Sequence, residues 1–360
     1  MTVLTIAIPT LNRVNKLKVA ADAIASLVVP YGMKLCLAIS NSSSTDDTRH
    51  FLKSFSIHNA ELFINNKRSP HHNWTALSMV VPKESDFVWL HGDDDIIFNK
   101  NALVDLERAG IFEQKQCSSI TSIPQARRSL NSGLVGPSTL GALAVSYGAH
   151  EVAGWMSSLL MSSDVYFAFA RDYEKAFHDR PTNTQMFDRR LGNYFHLTYL
   201  MERFWTVKAS IVDLRLIDEQ IDPAEKRDYQ KKRRLFEFKK NYLFSDRFFF
   251  DAENLIKISE FHPEAQTEIF FRYVTKSLID VLVLITLDEI DGGVMDSPIH
   301  TSQKIETISA LHHAMRSHSR WDDLQMLIDL LKDEDFRLSK DGVLLRRASR
   351  PFSYPLGVVL

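Results

Sequence analysis

The sequence predicts an α/β fold, a mostly parallel sheet wound with helices, followed by an α-helical C-terminal region. Three observations predict it. Short β-branched runs alternate with amphipathic stretches over residues 1–100, the pattern of βαβ units. Small or polar residues follow each run, where a parallel sheet places its loops. From Asp222 onward the apolar spacing turns helical. A chain of 360 residues is long enough for about two domains at roughly 150 residues each. The division expected is residues 1–220 (1–124 for the first ligand, 125–220 for the second), a helical region 221–345, and a flexible or extended tail 346–360.

Each element has its own reason. Leu4–Ile8 is an apolar strand stopped by Pro9, and residues 14–28 repeat apolar side chains at helical spacing through Leu17, Ala20, Ala21, Ile24 and Leu27. Lys34–Ser40 is a second strand, and a second helix starts near Asp46. Glu61–Ile64 reads as a third strand, Trp74–Val81 as a third helix and Asp86–Leu90 as a fourth strand running into Gly92 and three aspartates. Residues 125–148 are small and polar and read as a long surface loop. Apolar and aromatic density returns over 152–217. Asp222 and Pro223 suit the N-cap and first position of a long charged helix. Further helices are expected over 264–287, 302–317 and 321–331, with apolar faces available for the first domain or for a homo-oligomer interface.

Composition excludes several classes. Hydrophobic residues are 45% of the chain and Gly and Pro number only 13 and 12, so this is neither collagen-like nor disordered. Lys plus Arg (43) nearly balances Asp plus Glu (45), which gives no global pull toward nucleic acid or an anionic surface. Cys36 and Cys117 offer neither a disulfide framework nor a CxxC zinc site, consistent with a reducing, cytoplasmic compartment. The N-terminal MTVLTIAIPTLNR reads as a strand and not as a signal peptide. The apolar stretch Val281–Leu287, bounded by Asp280 and Asp288, is far short of the ~20 residues of a membrane span.

The acidic run His91-Gly92-Asp93-Asp94-Asp95 directly after a strand is the most informative feature. Carboxylates this close repel unless something cationic sits among them. Mg²⁺ or Mn²⁺ would serve, held in phosphate sites by one or two carboxylates plus the phosphates themselves. The competing reading is a solvated turn capping the element that begins at Ile96, since Asp is common in turns.

Three ordered motifs resemble the glycosyltransferase family 2 catalytic domain of the GT-A fold, over roughly residues 1–120 and more weakly to about 217. TIAIPTLNR is similar to the family's opening strand and nucleotide loop, ISNSSSTDDT to its second-strand signature, and VWLHGDDD to its DXD strand. GDDDII, GWMSSLLM and NYFHLTYLMERF resemble the abequosyltransferase-like branch, which builds bacterial surface polysaccharide. The resemblance implies an inverting glycosyltransferase that uses Mn²⁺ or Mg²⁺ and a nucleotide-sugar donor. It places Pro9, Thr10, Asn12, Arg13, Asn41, Asp93 and Asp94 around the donor, with Asn73 in a region often rich in asparagines. Asp95, with Asp93, would ligate the metal. One departure is Asn41, where the family has an aspartate that contacts the base; an amide both donates and accepts, which leaves the base open.

The general base expected at a helix start well downstream has two candidates, Asp188 in MFDRR and His196 in NYFHLTYL. Asp188 beside Arg189 and Arg190 has an alternative as a surface ion pair, and His196 as a satisfied core histidine. His71, His72 and His91 read as loop residues. Residues 226–250 hold nine basic against three acidic residues, interleaved with Phe and Tyr. Such a segment suits an anionic membrane surface, where a lipid-linked saccharide acceptor resides, or else a solvated helix face; nucleic acid is not expected. A nucleotidyltransferase and an inert glycan-binding scaffold are the rival functions.

Overall fold

The computed structural model describes residues 1–42, 44–65, 73–114, 117–178, 195–220 and 246–274, with 306–307, 309–310, 313–314, 336–338, 344–346 and 351–352. The chain divides into two compact units, Met1–Thr184 with Tyr199–Lys226, and Gln185–Thr198 with Arg227–Leu360.

The first unit begins with the expected alternation: β1 (Thr2–Thr10), α1 (Val14–Ala25), β2 (Met33–Asn41), α2 (Thr48–Ser54), β3 (Glu61–Asn65), α3 (Asn73–Ser78) and β4 (Phe87–Leu90). A short β5 (Asp95–Ile97) and α4 (Ala102–Arg108) follow, then β6 (Ser119–Ser122), β7 (Leu134–Thr139), α5 (Leu140–Tyr147), α6 (Ala149–Ala153), β8 (Leu159–Ser162) and α7 (Ser163–His178). Helix α8 (Phe195–Arg203), whose first residues through Thr198 are assigned to the second unit, and strands β9 (Lys208–Val212) and β10 (Ile217–Glu219) complete the run.

Eight strands form one sheet in the order β3-β2-β1-β4-β8-β6-β9-β7. β1 pairs in parallel with β2 and β4, β2 with β3, and β6 with β9, so the α/β class with a mostly parallel sheet holds. β8 runs antiparallel to β4 and β6, and β7 antiparallel to β9. Because β8 is reversed, its start lies at the same sheet edge as the carboxyl ends of β1, β4 and β6. The loops after β1, β4 and β6 and the one before β8 therefore open onto that edge.

In β1, Leu4, Ile6 and Ile8 enter one core cluster with Leu35, Leu37 and Ile39 of β2, Leu17 and Ile24 of α1, Phe87 and Trp89 of β4, and Leu103 and Leu106 of α4. The alternate residues Val3, Thr5 and Ala7 are buried too. Both sheet faces are covered, which is why these strands read as continuous apolar runs.

Residues 125–148 are not one loop. Leu134–Thr139 pairs with β9, and the Thr139 hydroxyl accepts from Ala142 N at 3.2 Å to cap α5, whose Leu140, Leu143 and Ala144 are buried. Small side chains, which suggested a loop, are what this packing requires: a Cβ on Gly141 would stand 2.3 Å from the Trp205 ring.

In the second unit α9 (Asp246–Phe261) buries Ala252, Leu255 and Ile258, and a 3-10 turn follows at Pro263–Ala265, where the sequence suggested the start of a longer helix. β11 (Phe336–Leu338), β12 (Leu344–Arg346) and β13 (Pro351–Phe352) form a small antiparallel sheet, an addition to the helical region expected. Residues 221–245, Asp222, Pro223 and most of the basic segment among them, and 321–331 lie outside the described residues. Among the described residues no helix is long and apolar enough to cross a membrane.

Candidate functional site

The aspartates stand at the carboxyl end of β4, beside the ends of β1 and β2. His91 N donates to Ala7 O at 3.0 Å and so carries the β1–β4 pairing to the first residue of the acidic turn. Asp93 is buried at 3% exposure. Its Oδ2 accepts from Thr10 Oγ1 at 2.7 Å, and its Oδ1 from Arg13 Nη1 at 2.9 Å. The same Nη1 lies 2.9 Å from Asp94 Oδ2. The cation among the carboxylates is therefore Arg13, supplied by the chain itself at the start of α1. Burial pushes the Asp93 pKa up, and the Arg13 charge and the Thr10 hydroxyl only partly oppose it, so it lies above the usual carboxylate value. Burial also works against the Arg13 charge, but Asp93 and Asp94 outweigh it and raise its pKa.

Asp95 is held by the far side of the crevice. Gln125 Nε2 donates to its Oδ1 at 2.8 Å, and the Ser157 hydroxyl donates to its Oδ2. Gly92 N donates to the same Ser157 oxygen at 2.8 Å. Three residues beyond Gln125, the Arg128 guanidinium lies over the Trp155 ring, 3.3 Å from its centroid, and clasps the two loops that grip Asp95. Gln220 closes the turn from below. Its amide donates to the backbone oxygens of Lys16, Asp93 and Asp95 at 3.0–3.2 Å, and its backbone N donates to Asp94 O at 2.8 Å.

Gly92 shows what the turn is shaped for. A Cβ there would come within 2.8 Å of Asp95 Oδ2, 2.9 Å of Asp94 Oδ1 and 3.1 Å of Ser157 Oγ, so three oxygens converge on space that only a glycine leaves open. Two carboxylates in such a cradle fit a hard divalent cation. Among the described residues no three His, Cys, Asp or Glu side chains form a self-sufficient metal centre. A cation held here would take its remaining ligands from phosphates.

The nucleotide loops expected at Pro9–Arg13 and Asn41–Asp46 are tied together. Asn12, with φ of 53°, accepts from Thr45 N at 2.7 Å through its Oδ1, and its own N donates to Ser44 Oγ at 2.8 Å. Buried Asn41 accepts from Ser44 N at 3.1 Å and Ser44 Oγ at 2.6 Å. A carboxylate could accept the same two bonds, so the amide here organises the loop. Asp46 accepts from Val14 N at 3.1 Å and Thr48 N at 3.0 Å and thus serves the first turns of α1 and α2. Burial pushes its pKa up, but the Thr48 and Val14 hydrogen bonds prevail and hold it below the usual value.

His91, in the loop directly after β4 as expected, is buried. It is 1% exposed, packed edge-on to Trp89, and its ring nitrogens have no hydrogen-bond partner among the described residues. Burial drives its pKa down to about 4, against the Asp94 charge and the Asp95 backbone, which favour the protonated form. The structure brings together Thr10, Arg13, Asp93, Asp94 and Asp95, with Asn12 in the adjoining loop, Asn41 at the end of β2, and Pro9 inside β1, which runs through the proline expected to stop it. Asn73 opens α3. His196, 7% exposed near the start of α8, belongs to the second unit, and Asp188, His71 and His72 lie outside the described residues.

Sequence reasoning missed Gln125, Ser157 and Gln220. Gln125 and Gln220 are isolated neutral residues outside the motifs. A weak signal existed for Ser157, which sits in the GWMSSLLM motif ahead of β8.

No protein-family model matches the sequence, and no curated protein matches it. Among solved structures the chain is similar to S. aureus TarS 1-349, at 15% identity and a TM-score of 0.45 over 98% of this chain and 99% of that one. It is similar to the mannosyltransferase PcManGT from Pyrobaculum calidifontis, solved in complex with GDP-Man and Mn²⁺, at 12% identity and a TM-score of 0.47 over 91% and 84% of the chains. A third is glucosyl-3-phosphoglycerate synthase from Mycobacterium tuberculosis in complex with phosphoglyceric acid, at 13% identity and a TM-score of 0.35 over 67% and 80%. At such values the assignment of function rests on the residues of the crevice.

Proposed function

We propose that the protein is a metal-dependent, inverting glycosyltransferase of GT-A fold, which moves a sugar from a nucleoside-diphosphate donor to a glycan or lipid-linked saccharide of a bacterial surface polysaccharide. The observation that supports this most is the linked set Thr10–Asp93–Arg13–Asp94 at adjoining strand ends, with the cradle over Gly92 beside it.

Each residue has a defined task. The loops joined by Asn12 and Thr45 receive the nucleoside, with Asn41 fixing their shape. Asp93, immobilised by two hydrogen bonds, accepts from a hydroxyl of the ribose or donor sugar. Asp95 would hold Mn²⁺ or Mg²⁺, with Asp94 in place of the Asp93 expected from the sequence, because both Asp93 oxygens are taken by Thr10 and Arg13; the metal would supply charge neutralisation for the departing diphosphate. Arg13 adds positive charge on the same side. Attack by an acceptor hydroxyl forms the new bond at the anomeric carbon as the bond to the diphosphate oxygen breaks. The hydroxyl proton passes to a general base, for which His196 is the group proposed, ahead of Asp188. On this reading His196→Ala lowers turnover by about 10²–10⁴; near-wild-type turnover would remove His196. Residues 226–250 are proposed to hold the enzyme to an anionic membrane surface, and absence of flotation with anionic liposomes would end that part of the reading.

The decisive experiment is thermal melting of wild type and Asp95→Asn with UDP, GDP, CDP and dTDP, each with and without Mn²⁺. Binding to the folded state raises the melting temperature by mass action. A shift with one nucleotide that needs Mn²⁺ and is lost in the variant supports the donor site. No shift at millimolar nucleotide would return the aspartates to a structural turn and favour a scaffold.

A further inference from the structure

Asp94 faces two ways. Its Oδ2 meets Arg13 Nη1 at 2.9 Å, and its Oδ1 stands 2.9 Å from the position a Cβ on Gly92 would take, next to Asp95 Oδ2. A divalent cation in that cradle would share one carboxylate with the guanidinium. Like charges at this separation repel, and a carboxylate already paired to one cation attracts another less. The two partners of Arg13 differ in how they tolerate its departure. The Asp94 side chain is 33% exposed and would exchange Arg13 for metal readily, whereas the Asp93 side chain is 4% exposed and needs a counter-charge nearby. The Arg13 side chain is 50% exposed, so its far end can move without unpacking the core.

We propose that Arg13 is the resident counter-ion of the aspartate turn, released from Asp94 when a divalent cation enters the Gly92 cradle and turned toward the donor's diphosphate, so that metal and nucleoside diphosphate bind with positive coupling through this one side chain. This rests on the reading of the crevice as a metal and nucleotide-sugar site. Metal alone must compete with Arg13. Metal arriving with a diphosphate gives the displaced guanidinium a new anionic partner, and linkage makes the effect reciprocal.

The test is Mn²⁺ binding followed by electron paramagnetic resonance in wild type, Arg13→Gln and Arg13→Lys, first with the metal alone and then with saturating UDP, GDP, CDP or dTDP. Removing an ion pair of this exposure is expected to tighten binding of Mn²⁺ alone by about two- to fivefold in Arg13→Gln. Arg13→Lys, a point charge without the fork, should fall between. A nucleoside diphosphate should tighten Mn²⁺ binding in wild type, and do so less in Arg13→Gln. Equal or weaker binding of Mn²⁺ alone by a folded Arg13→Gln protein overturns the proposal, as does coupling that survives the substitution in full. Should Arg13→Gln not fold, Arg13→Lys against wild type makes the same comparison with the same expected sign. If no nucleotide binds wild type in the presence of Mn²⁺, the donor-site reading and the coupling fall together, while the comparison with metal alone still decides whether Arg13 is the counter-ion.

Discussion

Asn12 and Thr45 are joined across two loops, the Thr45 N–H donating to Asn12 Oδ1 at 2.7 Å while Asn12 holds a left-handed backbone with φ of 53°. The side chain and the backbone angle act together, because asparagine adopts this region more easily than most residues. The consequence is that the ends of β1 and β2 present one surface.

Two substitutions separate those contributions. Asn12→Gly keeps the backbone angle and loses the hydrogen bond, and is expected to cost about 1 kcal/mol. Asn12→Ala loses both, and is expected to cost about 2 kcal/mol. Urea unfolding reads the difference, and an alanine variant as stable as wild type would show that the loops are held by other means.

Ser157→Ala removes a donor to buried Asp95 and the acceptor for Gly92 N. A loss of about 1–3 kcal/mol in folding stability is expected, with weaker Mn²⁺ binding because Asp95 is no longer oriented. Ser157→Thr, which keeps the hydroxyl, should recover part of both. Unchanged stability and metal affinity in the alanine variant would detach Ser157 from the site.

His91 makes stability depend on pH in a definite direction. Its folded pKa of about 4 lies below the ordinary value of 6.5, so the folded protein binds fewer protons than the unfolded chain between those values. Its contribution is unchanged above about pH 6.5 and declines as pH falls toward 4. At pH 5 the loss is roughly 2 kcal/mol relative to pH 7. Asp93, with its raised pKa, acts in the opposite sense at lower pH. Comparing wild type with His91→Gln by urea unfolding at pH 7 and pH 5, in EDTA, isolates the histidine: the variant should lose less between the two. Parallel losses would contradict a buried, neutral His91.

Gly141→Ala would ordinarily favour a helix, by about 1 kcal/mol. Here the added methyl meets the Trp205 ring at 2.3 Å, so a net loss of about 1–3 kcal/mol is expected. Thermal melting of Gly141→Ala, Trp205→Leu and the double variant gives the coupling. Additive effects would mean the helix shifts away from the indole at little cost.

The first four strands and the acidic turn were legible because apolar runs and strand-end polar residues are local patterns. The cation among the aspartates was legible only as a need. Arg13 stood in the motif, but nothing in its spacing said that its guanidinium reaches Asp93 and Asp94, eighty positions away. Residues 134–147 misled because small side chains mark loops and also allow close packing, and Trp205, which decides between the two, is distant in sequence. Gln125, Ser157 and Gln220 act through long-range hydrogen bonds, which leave no periodicity to read.

Gln220 has a bearing on the order of events in folding. It stitches Asp93 and Asp95 from positions 127 and 125 residues away, and Lys16 from 204. During synthesis the parallel strands β1 to β4 can assemble long before that amide leaves the ribosome, so the acidic turn passes through a period with its backbone oxygens unstitched. Contacts of such sequence separation form late and slow the final step of folding. The sheet is thus the early product, and the acidic crevice at its edge is completed last.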